Sequence, residues 1–168
     1  SISELSVSGA PAAQFRILGR WPSGRIKWVL VDTQATLGAG QRSNALSLTS
    51  GGGGSFGGAD LAVDNGPTIT VDTGAARFTI RKANFNGIDQ VTIGSTDVLA
   101  SGVSKGLIVH GPAPGQTRCP PCTTEYASAN DPSSTAVIEE NGPVKAVILA
   151  SGAHVDGAGN IYMRFTVR

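Results

Sequence analysis

Charge is scarce in this chain. Only 15% of its residues are Asp, Glu, Lys or Arg, against about 25% in average proteins. The 13 basic residues nearly cancel the 12 acidic ones, leaving a net charge of +1. No basic field therefore favours nucleic acid or an anionic membrane as partner. Long apolar runs are missing too: none approaches the ~20 residues that a membrane-spanning helix needs. Aromatic residues make up 5%, a thin supply for ligand stacking. There are two cysteines and two histidines, so a Cys2His2 zinc site is possible in number, but their spacing is wrong for one. No segment shows helical periodicity. No signal peptide is visible and no initiator methionine opens the chain, so it reads as a mature or excised product.

What is abundant is turn chemistry. The chain has 23 Gly and 9 Pro among 168 residues, with 40% hydrophobic. That profile predicts an all-β fold, an antiparallel barrel or sandwich-like domain, with residues 1–168 forming a single β domain. Few Lys, many Ser, Thr and Gly, and a cysteine pair point to export. The organising stretch is residues 21–32. Trp21-Pro22 closes what precedes it, because a residue before proline is pushed out of the helical region. Ser23-Gly24 supplies a turn. A core strand follows, with Ile26, Trp28 and Leu30 on one face and only Lys27 charged on the other, so burial on most of both faces is expected. The preceding run alternates, with Phe15 and Ile17 inward and Gln14 and Arg16 outward, and pairs with it as a hairpin.

Further runs of about five residues recur with a turn signal roughly every ten, the spacing of a sandwich or barrel. Ile2, Leu5 and Val7 mark a first strand; Leu46 and Leu48 face inward from another. Residues 68–72 and 76–82 form a second hairpin across Thr73-Gly74. Residues 136–140 and 144–153 form a third across Asn141-Gly-Pro143, a strong turn signal. The last eight residues alternate most cleanly: Ile161, Met163, Phe165 and Val167 against Tyr162, Arg164, Thr166 and Arg168.

Two stretches interrupt the pattern. Residues 50–58 are Gly-rich, with Gly51, Gly52, Gly53 and Gly54 in succession. This is no phosphate-binding loop, because the Lys-Ser/Thr ending and following helix are missing. Composition favours a surface loop; if ordered, it implies close backbone packing, for instance against another subunit. Residues 111–134 form a Pro-rich excursion containing Cys119-Pro-Pro-Cys122. A redox centre would need a helix after the first cysteine. A local disulfide between Cys119 and Cys122, pinning a surface loop, is the favoured reading for an exported protein.

Catalysis finds little support. Glu139 and Glu140 are adjacent, so on a strand they face opposite sides and cannot act as a pair. His110 and His154 end apolar strands and read as strand-end or surface residues. Asp60, Asp131 and Asp156 sit in turn contexts, and the single acidic turn 156–160 falls short of a calcium cage. No nucleophile, base and orienter come together. The expectation is therefore no enzyme, no cofactor and no metal. For stacking on a sugar the candidates are Trp21, Tyr126 in the excursion and Tyr162 on the polar face of the last strand.

Several segments together resemble a known family. Residues 13–32 (Ala-Gln-Phe-Arg-Ile-Leu-Gly-Arg-Trp-Pro-Ser-Gly-Arg-Ile-Lys-Trp-Val-Leu-Val-Asp) resemble the N-terminal barrel domain of the exo-rhamnogalacturonan lyase-like proteins. Residues 71–80, 137–146 and 162–167 are similar to later strands of that domain, in the family's order. The resemblance implies a secreted bacterial protein and a six-stranded barrel of the riboflavin-synthase-like type with extra strands. It assigns the lyase chemistry to other domains, so no catalytic residue carries over. It also implies a further strand before the chain's first segment and a last strand that continues past Arg168. A barrel short of a strand has an open edge that invites strand addition from another copy, and head-to-tail exchange makes a filament.

The leading expectation is thus a secreted, non-catalytic structural subunit that self-associates. The expected assembly edge is Ile161, Met163, Phe165 and Val167 with Gly51 to Gly54, and the partner a further copy of the chain. The second expectation is an accessory domain of a secreted polysaccharide lyase-like protein, contacting a pectin-like glycan through Trp21, Tyr126 and Tyr162.

Overall fold

The computed structural model of the protein describes residues 1–43, 45–51, 58–120 and 122–168. Strands dominate, with two single-turn 3-10 segments, Ile2–Glu4 and Ser128–Asn130. The chain forms two compact units. The first takes residues 1–61 with 141–146, the second residues 62–140 with 147–168.

The first unit contains β1 (Leu5–Ser8), β2 (Ala13–Arg20), β3 (Ile26–Thr33) and β4 (Ser47–Ser50). β2 and β3 form the expected antiparallel hairpin. Its turn is closed by the Gly24 amide donating to the Trp21 carbonyl at 2.8 Å, and by the Trp21 amide donating to the Arg25 carbonyl at 2.8 Å. Gly24 takes φ +80°, a conformation glycine adopts without steric cost. β1 pairs with β4. The segment 141–146 is held to this unit through Gln14, whose Oε1 accepts the Lys145 amide at 3.0 Å. Lys145 Nζ lies 2.8 Å from Asp32 Oδ2.

Four side-chain assignments are corrected here. Gln14, expected outward, is buried, because its amide oxygen is the partner of a chain segment more than a hundred positions away. Leu46 and Leu48, expected inward, are exposed; among the described residues β1–β4 is a two-stranded ladder. Trp28, expected in a strand covered on both faces, is 64% exposed. Ile17 opposes Val29 and Gly19 opposes Trp28, so Leu18 is an extra residue in β2. Among the described residues the β2–β3 ladder has no third strand to cover Trp28, and the bulge shifts the face of the β2 side chains that follow Leu18. Of the Gly-rich run, Gly51 is exposed and its amide donates to the Glu4 carbonyl at 3.1 Å. Gly52, Gly53 and Gly54 lie outside the described residues.

The second unit is two antiparallel five-stranded sheets. The first runs in chain order: β5 (Ala62–Asp64), β6 (Thr68–Asp72), β7 (Arg77–Arg81), β8 (Gln90–Ile93) and β9 (Thr96–Leu99). The second holds β10 (Ile108–Gly111), β11 (Thr124–Ala127), β12 (Thr135–Glu140), β13 (Val147–Val155) and β14 (Ile161–Val167). Its order is β10-β11-β13-β12, with β14 also on β13. Neither sheet closes on itself, so the fold is a β sandwich and not the closed barrel that the resemblance implied. Both later hairpins appear, β6–β7 and β12–β13. The Pro-rich excursion contains a strand, β11, in place of a continuous loop.

The core is made of small residues. Ala136, Ala150 and Ala153 are fully buried with Ile69, and short side chains let polar backbone approach closely. Its polar groups must then find partners. The stretch around Asp131 supplies them. Its carbonyl accepts the Asn84 amide at 3.0 Å. Its carboxylate accepts the Ser133 amide at 2.9 Å, the Ser133 hydroxyl at 2.6 Å and the Ala153 amide at 2.7 Å. His154, expected at a surface, is 8% exposed with its ring edge-on to Phe165 at 5.4 Å.

Burial pushes the Asp131 carboxyl up, but bonds from Ser133 and the Ala153 amide, with the charge of Arg164, outweigh it and hold the group below its usual range. A carboxylate with a depressed folded pKa contributes stability that is complete above its unfolded value of about 3.9 and is lost as pH falls through the folded one. Thermal unfolding should therefore show a melting temperature that holds from neutral pH to about 4 and drops below it. Asp131→Ala should cost about 2–3 kcal/mol at neutral pH and flatten that drop.

Candidate functional site

Tyr126 of β11 and Tyr162 of β14 come from strands of the second sheet that are not ladder partners, and they meet over one glycine. Tyr126 lies on β11, opposite Val109 of β10. Its hydroxyl donates to the Pro112 carbonyl at 2.7 Å. A Cβ placed on Gly111 would stand 3.1 Å from Tyr126 Cε2 and 3.1 Å from Tyr162 Cζ, tighter than ordinary contact, so glycine there lets both rings settle. The rings stack with centroids 5.0 Å apart and an interplanar angle of 25°.

Tyr162 reaches this place through a bulge and a fixed turn. His154 opposes Met163 and Val155 opposes Ile161, which leaves Tyr162 as the extra residue of β14. Bulges re-aim side chains. The β13–β14 turn is organised by Asp156. Its Oδ1 accepts the Ala158 amide at 2.9 Å and the Asn160 amide at 2.8 Å, and its Oδ2 accepts the Asn160 side-chain amide at 2.9 Å. These bonds, led by the Asn160 side chain, hold the Asp156 carboxyl below its usual range. Burial and then the nearby Asp156 charge push the Tyr126 phenol up, so it stays a hydrogen-bond donor.

The two rings border a cleft of about 520 Å³, walled by Pro112 to Gln116 on one side and by Gly159 to Ile161 on the other. Among the described residues its lining holds no carboxylate, histidine or cysteine. The side chains able to hydrogen-bond there are Gln116, Asn160 and the tyrosines. Such a lining offers an aromatic face and neutral polar groups; it lacks a general acid–base pair.

The expected contact residues thus separate. Tyr162 is 44% exposed at the cleft. Tyr126, at 3% exposure, stacks on Tyr162 and offers little face of its own. Trp21 belongs to the first unit; it is 52% exposed, and Lys27 Nζ stands 4.5 Å from its ring centroid. Cys119 and Cys122 are joined as a disulfide, in the same β10–β11 loop that walls the cleft. On β14, Ile161 and Met163 are exposed, while Phe165 and Val167 are half-buried. The Tyr126–Tyr162 stack had no local signal in the sequence, since β11 and β14 are not ladder partners. The Asp156-Gly-Ala-Gly-Asn160 turn was visible.

Other ionisable groups are engaged structurally. Asp89 accepts from Asn86 at 2.6 Å, Ser101 at 2.6 Å and the Gly102 amide at 3.0 Å, and pairs with Arg81 at 2.9 Å. Glu139 pairs with Arg168 at 2.6 Å. Among the described residues no group of three or more His, Cys, Asp or Glu side chains could hold a metal ion.

A family model described as the PcRGLX-like protein central beta sandwich domain matches residues 61–168. That is well over half of the chain, and the protein belongs to this rhamnogalacturonan lyase-like family. The matched domain is the central sandwich, where the resemblance pointed to the N-terminal barrel; the match begins one residue before the second unit does. Of the segments that carried the resemblance, 71–80, 137–146 and 162–167 fall inside it and 13–32 falls outside. No curated protein and no solved structure matches the chain.

The two tyrosines should respond differently to substitution. Tyr126→Phe removes a buried hydrogen bond and should cost about 1 kcal/mol of stability. Tyr162→Ala removes one stacked pair at the surface and should cost no more than about 1.5 kcal/mol. Urea unfolding of the two variants, followed by tyrosine fluorescence and circular dichroism, checks both.

Proposed function

We propose that the protein is a non-catalytic module of a secreted lyase-like protein, and that its sandwich unit holds a glycan chain against the Tyr162 cleft. The observation that carries this reading is the Tyr162 ring. It is exposed at an open cleft, braced from behind by a buried ring that is itself hydrogen-bonded to the cleft wall. A braced aromatic face is what the weakly polar C–H face of a pyranose stacks on, and bracing lowers the entropy lost on binding. The neutral amides of Gln116 and Asn160 suit sugar hydroxyls. The absence of an acid–base pair in the lining supports positioning over bond cleavage. Membership of a lyase-like family makes a pectin-like polysaccharide the first ligand to try. The disulfide at Cys119–Cys122 supports an oxidising, extracellular setting.

Affinity electrophoresis in gels containing pectic polysaccharide should retard the protein, and Tyr162→Ala should abolish the retardation while circular dichroism stays unchanged. Unretarded wild-type protein would remove the reading.

A second reading, self-association through β14, is favoured by one observation. β14 is paired along one side only, with β13, among the described residues, and it exposes Ile161 and Met163. An unpaired edge of this kind templates strand addition. Sedimentation velocity should then show concentration-dependent assembly that Met163→Lys suppresses; a single monomeric boundary at every concentration would sink it.

A further inference from the structure

The chain has two tyrosines among 168 residues, and the fold brings them together. Their rings stack with centroids 5.0 Å apart. In a tyrosyl radical the unpaired spin gathers on the oxygen and on the two Cε carbons that flank the hydroxyl-bearing carbon, so Cε is where two such rings couple. One Cε from each ring faces the same point above Gly111. A Cβ at that point would stand 3.1 Å from Tyr126 Cε2 and 3.2 Å from Tyr162 Cε1. Glycine at 111 puts no side chain between them.

The surroundings suit one-electron chemistry at this pair. Tyr162 is exposed at the cleft and Tyr126 is buried behind it, so an oxidant in solution meets Tyr162 first and reaches Tyr126 through the ring contact. Tyr126 is held still by its hydroxyl bond to the Pro112 carbonyl at 2.7 Å, while Tyr162, half in solvent, has room to turn its edge toward the braced ring. Both cysteines of the chain are taken up in the Cys119–Cys122 disulfide, so the chain holds no thiol to quench a tyrosyl radical. The cleft beside the two rings gives their phenolic protons a way to water.

We propose that Tyr126 and Tyr162 are a site of oxidative modification, an intrachain dityrosine crosslink made by a haem peroxidase acting with hydrogen peroxide. The oxidant takes one electron from Tyr162, whose phenolic proton goes to water. Tyr162 then recovers an electron from Tyr126 and a proton from water, and Tyr126 releases its own proton into the cleft. A second oxidation removes an electron and a proton from Tyr162 again. The two radicals join through a new bond between Tyr126 Cε2 and Tyr162 Cε1, and the hydrogen on each of those carbons moves to its ring's oxygen, which restores both aromatic rings. Two electrons and two protons leave in all, and hydrogen peroxide takes them up to become two waters. The bond ties β14, paired only with β13 among the described residues, to β11. It stands independently of any ligand in the cleft.

The test treats the full 168-residue chain with a plant haem peroxidase and hydrogen peroxide. The expected product runs as a monomer on denaturing gels, carries dityrosine fluorescence and is lighter than the untreated chain by two hydrogens. Trypsin, cutting after Arg118, Lys145 and Arg164, should release peptides 119–145 and 146–164 joined to each other. Sulfoxide on the neighbouring Met163 adds an oxygen instead and is told apart by mass. Tyr126→Phe and Tyr162→Phe should each remove the monomer's signal, and so should treatment in denaturing urea, where the stack is lost. Dityrosine found only in dimers of the unaltered chain would overturn the proposal, since exposed Tyr162 would then be coupling between chains. So would oxidised tyrosine with no joined peptide pair, or an equal monomer yield in urea.

Discussion

The sandwich unit depends on a polar seam. Its core is lined by alanines, and backbone amides in such a core cannot be left without acceptors. Two loops meet that demand. The Asn84 amide donates to the Asp131 carbonyl, the Asn84 side chain to the Ala129 carbonyl, and the Phe85 amide to the Ser134 hydroxyl. From the other direction, Ser128 Oγ accepts the Leu107 amide and Ser104 Oγ donates to the Asn86 carbonyl. Asn84 adopts a positive φ of 51°, rare for a residue with a Cβ, and its two hydrogen bonds into the seam offset that cost. Stability in this unit therefore rests on short side chains that bond backbone, with aromatic packing such as Phe85 on Phe165 at 5.7 Å as a supplement.

That constraint shapes what the unit can do. Asp89, Asp131 and Asp156 each accept two or more hydrogen bonds. A carboxylate so occupied, with its pKa held down, is a poor general acid and a weak base. Asp156 shows the trade most clearly. It fixes the turn that delivers Tyr162 and contributes no reactive group to the cleft. The same carboxylates that hold the loops together are thereby withdrawn from acid–base work.

The sequence carried the ladder well and the faces less well. Turns with a local chemical cause were readable: Trp21-Pro-Ser-Gly24, Thr73-Gly74 and Asn141-Gly-Pro143 all separate paired strands. Side-chain direction failed where a bulge slipped the period. Leu18 in β2 and Tyr162 in β14 are extra residues, and alternation rules assume none. Gln14 was misread for another reason. Polar residues are assigned outward by default, and its partner, the Lys145 amide, lies in a distant segment. His154 and Tyr126 are buried against rings from other strands of their own sheet, Phe165 and Tyr162, which no local pattern encodes. The family was legible through its strands, but the domain within it was not, because turns and core strands are shared by barrels and sandwiches alike.

Composition conceals one further feature. A low charge count and a net charge near zero argue against electrostatic recognition only if charge is evenly mixed. Here four cations fall within twelve positions, Arg16 to Lys27, with no acid among them. The hairpin keeps them close, because Arg16 opposes Leu30, two positions from Trp28. The tip turn brings Trp21 within hydrogen-bond distance of Arg25. A sum over the chain erases this pattern; a sum over one supersecondary element reveals it. For antiparallel hairpins the relevant unit of charge is the ladder, since pairing places residues from both strands on one face within a few ångströms. Low overall charge then sharpens the contrast, leaving this hairpin as a local feature against a nearly neutral protein.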